Sequence, residues 1–234
     1  MSLAIFDMNG LHFLLRWIHI YFGLIWIGLL YYFNFVQGPF FNETDAATKS
    51  NATQKLVPRA LWWFRYGALW TILSGLAMVT ITGMQGGHEV FKTAYGVTIL
   101  IGMSLGTVMF LNVWLVIWPN QKIVIANAVD TAQGKAANPA AAGAAAKAFL
   151  ASRTNTMFSV PMLFFMVGAR HIGIAVDSET YKFGLCFGLF FLILIALEFN
   201  ALKGKPGPLQ KVSGVITAGF VLTAVLYLLT EICK

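Results

Sequence analysis

Charge is scarce in this chain of 234 residues: Asp, Glu, Lys and Arg make up 11% of it, against 58% apolar residues. Soluble domains carry about 25% charged residues, so an ordinary soluble fold is excluded. Cysteine is nearly absent, with only Cys186 and Cys233, which form neither a CxxC pair nor a CxxCH motif. That excludes a disulfide-rich scaffold, and within these residues a covalently attached c-type haem, and leaves both thiols as small core side chains. Histidine is limited to four positions, with no HxH or HxxxH pair to suggest a zinc or copper centre. The N-terminus lacks a basic stretch followed by a small-residue cleavage site, so the first apolar run is expected to remain in the mature protein.

What the chain does have is long apolar runs. A helix needs about 20 mostly apolar residues to cross a hydrocarbon layer of about 30 Å. Six runs lie at roughly 12–36, 60–83, 93–118, 156–171, 181–201 and 211–232. The fold expected is an all-α polytopic membrane bundle of about six transmembrane helices, one transmembrane domain over residues 1–234. The fourth run is short and begins inside the preceding Ser-Arg segment. Residues 130–150 form an alanine-rich cytoplasmic segment, in which Ala140–Leu150 is expected to be a helix leading into that run through Ser152 and Arg153. The pairs Gly102/Gly106 and Gly184/Gly188 suit close helix approach.

Lys and Arg in short loops mark the cytoplasmic side. Eleven of the sixteen basic residues fall in or beside the first, third and fifth connections, which places both termini outside, in the periplasm of a bacterial inner membrane. The excess of positive charge is thereby accounted for without a nucleic-acid partner.

This orientation gathers all four histidines toward the outer face. His12 and His19 lie nearly two turns apart on one face of the first helix, in a stripe with Arg16, Gly23 and Trp26 that should face another helix. His88 falls in an outer loop, and Arg170 and His171 end the fourth run. Imidazole is the commonest protein ligand of haem iron, so a b-type haem is expected near this face. His19 and His171 are its candidate iron ligands, His12 or His88 the alternatives to either, and Arg16 or Arg170 a partner for the propionates.

A different chemistry gathers at the cytoplasmic ends. Arg59, Arg65, Arg153, Asn155, Glu198, Asn112, Asn120, Trp62 and Trp114 all fall there. A carboxylate in a span is costly unless paired, which makes Arg153 or Arg65 the expected partner of Glu198. Phe187, Phe190 and Phe191 are expected on the outer surface of the fifth helix, where they suit lipid, protein or pigment.

Four blocks carry a family resemblance. Arg16-Trp17-Ile18-His19 with Gly23 and Trp26-Ile27-Gly28, then Trp62-Trp63-Phe64-Arg65-Tyr66 with Thr71 and Gly75, resemble the first two segments of the membrane-bound urate oxidases of the PuuD type. Asn112-Val113-Trp114 with Ile117-Trp118-Pro119-Asn120-Gln121, and Ser152-Arg153-Thr154-Asn155-Thr156 with Ser159-Val160-Pro161, are similar to two further stretches of it. The resemblance spans about positions 16 to 171; the last two helices match mainly in hydrophobicity. It implies an inner-membrane protein tied to electron transfer, whose full-length relatives end in a c-type cytochrome. Under it, Arg59, Arg65, Arg153 and Asn155 would hold the urate anion. The chain departs from that plan in having six spans where the family has about eight, no CxxCH, and Thr154 where members often have His.

The function expected is therefore a urate-oxidase-like accessory or electron-transfer subunit of a respiratory or photosynthetic membrane complex, not catalytic alone. Its expected partners are the lipid bilayer, other redox subunits or a c-type cytochrome, and quinone or pigment. The alternatives are a truncated urate hydroxylase serving a separate cytochrome c and a purely structural subunit.

Overall fold

The computed structural model describes residues 4–234, and every regular element among them is helical. Seven helices are α1 (Met8–Glu43), α2 (Ala46–Lys55), α3 (Val57–Gly86), α4 (Ala94–Ala132), α5 (Ala141–His171), α6 (Phe183–Lys203) and α7 (Val212–Ile232). Five of them, α1, α3, α4, α6 and α7, are long and apolar enough to cross a membrane. Side chains fix the starts of three helices: Asp7 accepts from Gly10 N, Asp45 from Ala47 N and Thr48 N, and Thr93 from Gly96 N.

The helix α5 is the centre of the bundle. It runs unbroken for 31 residues through Pro161, so the alanine-rich segment and the fourth apolar run form one helix. It is more polar than its neighbours because they shield it: Arg153, Thr154, Asn155, Thr156 and Ser159 are all buried. An ionisable or polar face inside a membrane bundle turns toward protein rather than lipid.

Glycines set the closest approaches. Gly67 on α3 lies against the backbone of Trp26 and Phe22 on α1, where an added Cβ would stand 3.1 Å from Trp26 N. Gly102 on α4 meets Phe165 and Met166 of α5, and Gly219 on α7 meets Val160 and the Met157 carbonyl. The expected packing role of Gly102 and Gly106 therefore holds. Gly184 and Gly188 are different: an added Cβ at either meets no atom within 4 Å, so this pair packs against nothing within the described residues.

Neighbouring helices alternate in direction. His12 faces Thr82, Gly168 faces Thr98, and Lys182 N donates to the Cys233 carbonyl, so the start of α1, the end of α3, the start of α4, the end of α5, the start of α6 and the end of α7 share one end of the bundle. All four histidines lie toward that end, called here the histidine end. The opposite end carries α2, Arg59, Arg65, Arg153 and Glu198.

The outer surface is apolar, with Leu24, Leu192, Ile195, Phe199 and Phe220 all exposed. Phe191 belongs to it, but Phe190 does not. Phe190 is fully buried against the core, a correction that follows from helical geometry: residues one position apart point about 100° from each other, so Phe190 and Phe191 cannot share a face.

Two of the helices change pitch. In α1 the segment Tyr32–Gln37 is π-helical, with Gly38 N bonding the Phe33 carbonyl; in α4 the segment Asn112–Ile117 is π-helical, with Trp118 N bonding the Val113 carbonyl. Each wide turn is followed at once by a proline, Pro39 and Pro119. Proline lacks the N–H and its ring collides with the carbonyl four residues back, and here the helix widens instead of stopping. Such turns aim side chains in directions a regular helix cannot reach.

Candidate functional site

The two wide turns meet α5 at one level. On the α1 side, buried Asn34 donates to the Leu30 carbonyl at 2.9 Å and to Ser152 Oγ at 2.8 Å. On the α4 side, the Asn112 amide donates to Asn155 Oδ1 at 3.0 Å and to Glu198 Oε2 at 2.9 Å, while Asn155 donates to the Met109 carbonyl at 2.9 Å. Arg153 stands between Ser152 and Asn155, so it is held in the same layer.

Arg153 has few contacts of its own. The residue is 5% exposed, and its Nε and Nη1 have no hydrogen-bond partner among the described residues. Its guanidinium lies 5.1 Å from the Phe149 ring centre. Among the described residues three further buried polar side-chain atoms have no partner: Trp26 Nε1, Gln37 Oε1 and Trp114 Nε1. Gln37 is one turn from Asn34 and Trp114 two residues from Asn112, so both belong to this layer, whereas Trp26 lies two turns nearer the histidine end. Buried polar groups in folded proteins are nearly always paired, so these atoms are exceptions, free to take a ligand or an ordered water.

Arg65 closes the layer from α3. Its guanidinium lies over the Trp118 ring at 3.6 Å and within 5.3 Å of Trp114, and its Nε donates to the Leu61 carbonyl. Tyr66 packs edge-on against Trp114 at 5.9 Å and Trp62 at 4.7 Å from Tyr66 continues the aromatic group to the surface. Arg59 is exposed at the start of α3 and does not join the group.

The expected ion pair is replaced. Among the described residues no salt bridge joins Glu198 to Arg153 or Arg65; Glu198 is served by Asn112, and the two arginines stay free of carboxylates. The widened turn in α4 aims Asn112 at α6, which explains why the amide and not an arginine meets the carboxylate. Thr154 is buried and donates to the Leu150 carbonyl, satisfied within its own helix.

At the histidine end the stripe on α1 faces α3, as its spacing requires. His12 Nε2 pairs with Thr82 Oγ1 and Arg16 Nη2 with His12 Nδ1, both at 3.3 Å. His19 Nδ1 lies 2.8 Å from the Thr71 carbonyl, which can only accept, so this nitrogen carries the proton and Nε2 remains a lone-pair donor. Gly75 packs against the same imidazole. His171 is exposed at the end of α5, with no hydrogen bond to His19 or His12 among the described residues, and exposed His88 pairs with Glu89 at 2.7 Å. The Lys92 ammonium, bonded to the Glu89 carboxylate, holds that carboxyl below its ordinary range.

Asn34 and Gln37 were not legible as site residues, because each falls near the end of an apolar run where polar residues are ordinary. The available signal was Pro39, a proline inside a helical run with an amide five residues before it.

The family model described as urate oxidase N-terminal matches residues 84–229, more than half of the chain. That span takes in α4 through most of α7, and so extends the family likeness over the two last helices; the blocks at 16–28 and 62–75 lie outside it. No curated protein and no solved structure matches the chain. The chain belongs to the urate oxidase N-terminal family.

Proposed function

We propose that this protein binds the planar anion of urate, or a closely similar purine, in the layer between the two wide turns, and works as the substrate-binding and electron-transferring subunit of a membrane redox chain. The observation that carries this reading is the buried Arg153, whose Nε and Nη1 have no partner among the described residues. Nε and Nη1 lie on different edges of the guanidinium, so each is a separate donor to an acceptor of a flat anion, and desolvation strengthens such charge-assisted contacts. Gln37 Oε1 offers an acceptor to a ring N–H, and Trp114 Nε1 a further donor. Electrons pass to a separate carrier, a c-type cytochrome being the carrier the family resemblance implies.

The basic residues support the cytoplasmic membrane as its place, with the Arg153 end inside and both termini outside. The test uses membranes that contain the chain, supplied with urate and an added oxidised cytochrome c. Urate-dependent reduction of the cytochrome, lost in Arg153→Leu, is expected. Reduction unchanged by that substitution overturns the site.

A b-type haem is a second reading, favoured by His19. Its Nδ1–H is fixed by the Thr71 carbonyl at 2.8 Å, the arrangement that orients a ligating imidazole and leaves Nε2 for iron. His12 or His171 would supply the other ligand and Arg16 the propionate contact. The haem would add a one-electron carrier at the histidine end. A reduced-minus-oxidised spectrum of the purified chain tests it: a b-type signal lost in His19→Ala supports it, and no haem signal removes it.

A further inference from the structure

The two cysteines, 47 positions apart, are brought to one place at the histidine end. Lys182 N donates to the Cys233 carbonyl at 2.8 Å, and Cys186 N donates to the Lys182 carbonyl at 3.0 Å, so the first turn of α6 carries Cys186 back beside the end of α7. Both side chains are completely buried and both are free thiols. The Cys186 thiol faces the Cys233 thiol. Tyr181 covers the pair: its hydroxyl lies 3.3 Å from Cys186 Sγ and 3.2 Å from the Thr230 carbonyl. Burial pushes the Tyr181 phenol up, so it remains a donor across the working range.

We infer that Cys186 and Cys233 form a dithiol site for oxidation to an internal disulfide, which ties the start of α6 to the end of α7. Chain entropy favours this pair, because the loop it closes contains both helices and the whole intervening connection, and closing it restricts the unfolded chain. In the reaction two S–H bonds break and one S–S bond forms. The two electrons and the two protons pass to an oxidised small-molecule or protein thiol-exchange partner, whose disulfide bond breaks to give two thiols. Cys233 follows the last turn of α7, where helices open most readily, and that opening gives the partner its access.

These are the only cysteines in the chain, so every adduct can be assigned. The experiment treats the purified full chain in mild detergent with oxidised glutathione, quenches with acid, blocks remaining thiols with N-ethylmaleimide under denaturing conditions, and measures intact mass. The expected product is a monomer lighter by two hydrogens, carrying no maleimide, that gains two maleimides when reduced first. Cys186→Ser and Cys233→Ser each end with one maleimide or one glutathione. A stable glutathione adduct on the unsubstituted chain, a disulfide-linked dimer, or two unreacted thiols overturns the inference.

Discussion

Asn155 Nδ2 donates to the Met109 carbonyl at 2.9 Å, at the point in α4 where the helix widens into its π turn. A widened turn disturbs the regular ladder, and the side chain from α5 supplies a donor to a carbonyl at that break. Asn155 Oδ1 in turn orients the Asn112 amide, which reaches Glu198 on α6. One buried residue thus couples three helices, and Asn155→Leu is expected to destabilise the bundle by about 1–3 kcal/mol, the cost of leaving a buried polar group unsatisfied. Denaturant unfolding in detergent micelles measures it.

Arg153 is expected to behave in the opposite way. A buried guanidinium without a carboxylate costs stability, so Arg153→Leu should raise the thermal midpoint of the ligand-free protein while removing urate binding. Differential scanning of the two proteins in the same detergent checks the direction.

The wide turn in α4 depends on Pro119. Pro119→Ala restores an N–H to the helix and relieves the clash with the carbonyl at Leu115, so the turn should relax toward regular α-helix. Helix content by circular dichroism should be unchanged, while Asn112 rotates away from Asn155 and Trp114 from Arg65, and urate affinity falls by more than tenfold, a loss of about 1.4 kcal/mol or more.

Two glycines should differ sharply. Gly67→Leu drives a side chain into the Trp26 and Phe22 backbone and should destabilise the protein by about 1–3 kcal/mol, as overpacking does. Gly184→Ala meets nothing within 4 Å and should leave the unfolding midpoint of the isolated chain where it was.

Asp45 gives the pH dependence. The Thr48 hydroxyl, at 2.6 Å, and the Thr48 and Ala47 amides hold its carboxyl below the ordinary value, so the folded state binds its proton later than the unfolded chain does. The stabilisation of α2 is present above the ordinary carboxylate range and is lost as pH falls through the lowered folded value. Amide exchange at Ala47 and Thr48 should therefore show protection falling on that acidic side, and Asp45→Ala should abolish this pH dependence.

Apolar periodicity reveals the helices because a membrane span must be long and apolar, and the stripe from His12 to Trp26 indicates its neighbour because ionisable groups turn from lipid. The helix α5 was only half legible, because a helix surrounded by others has no need of a continuous apolar run. Arg153 and Asn155 stood out as polar residues next to a span. Their partners did not: Asn34 and Gln37 reach the layer through a π turn, and such a turn changes the facing of side chains by an amount that a fixed 3.6-residue period does not express. The Cys186–Cys233 contact was hidden for a simpler reason, since it depends on how α6 and α7 return to each other and not on spacing along either.

The account turns on Arg153 as an anion site. The direct measurement is equilibrium dialysis of labelled urate against the purified chain in lipid nanodiscs, with Arg153→Leu and Arg59→Ala alongside. Saturable binding by the unsubstituted chain and by Arg59→Ala, with none by Arg153→Leu, is the predicted result. Equal binding by Arg153→Leu, or no binding by the unsubstituted chain, contradicts it.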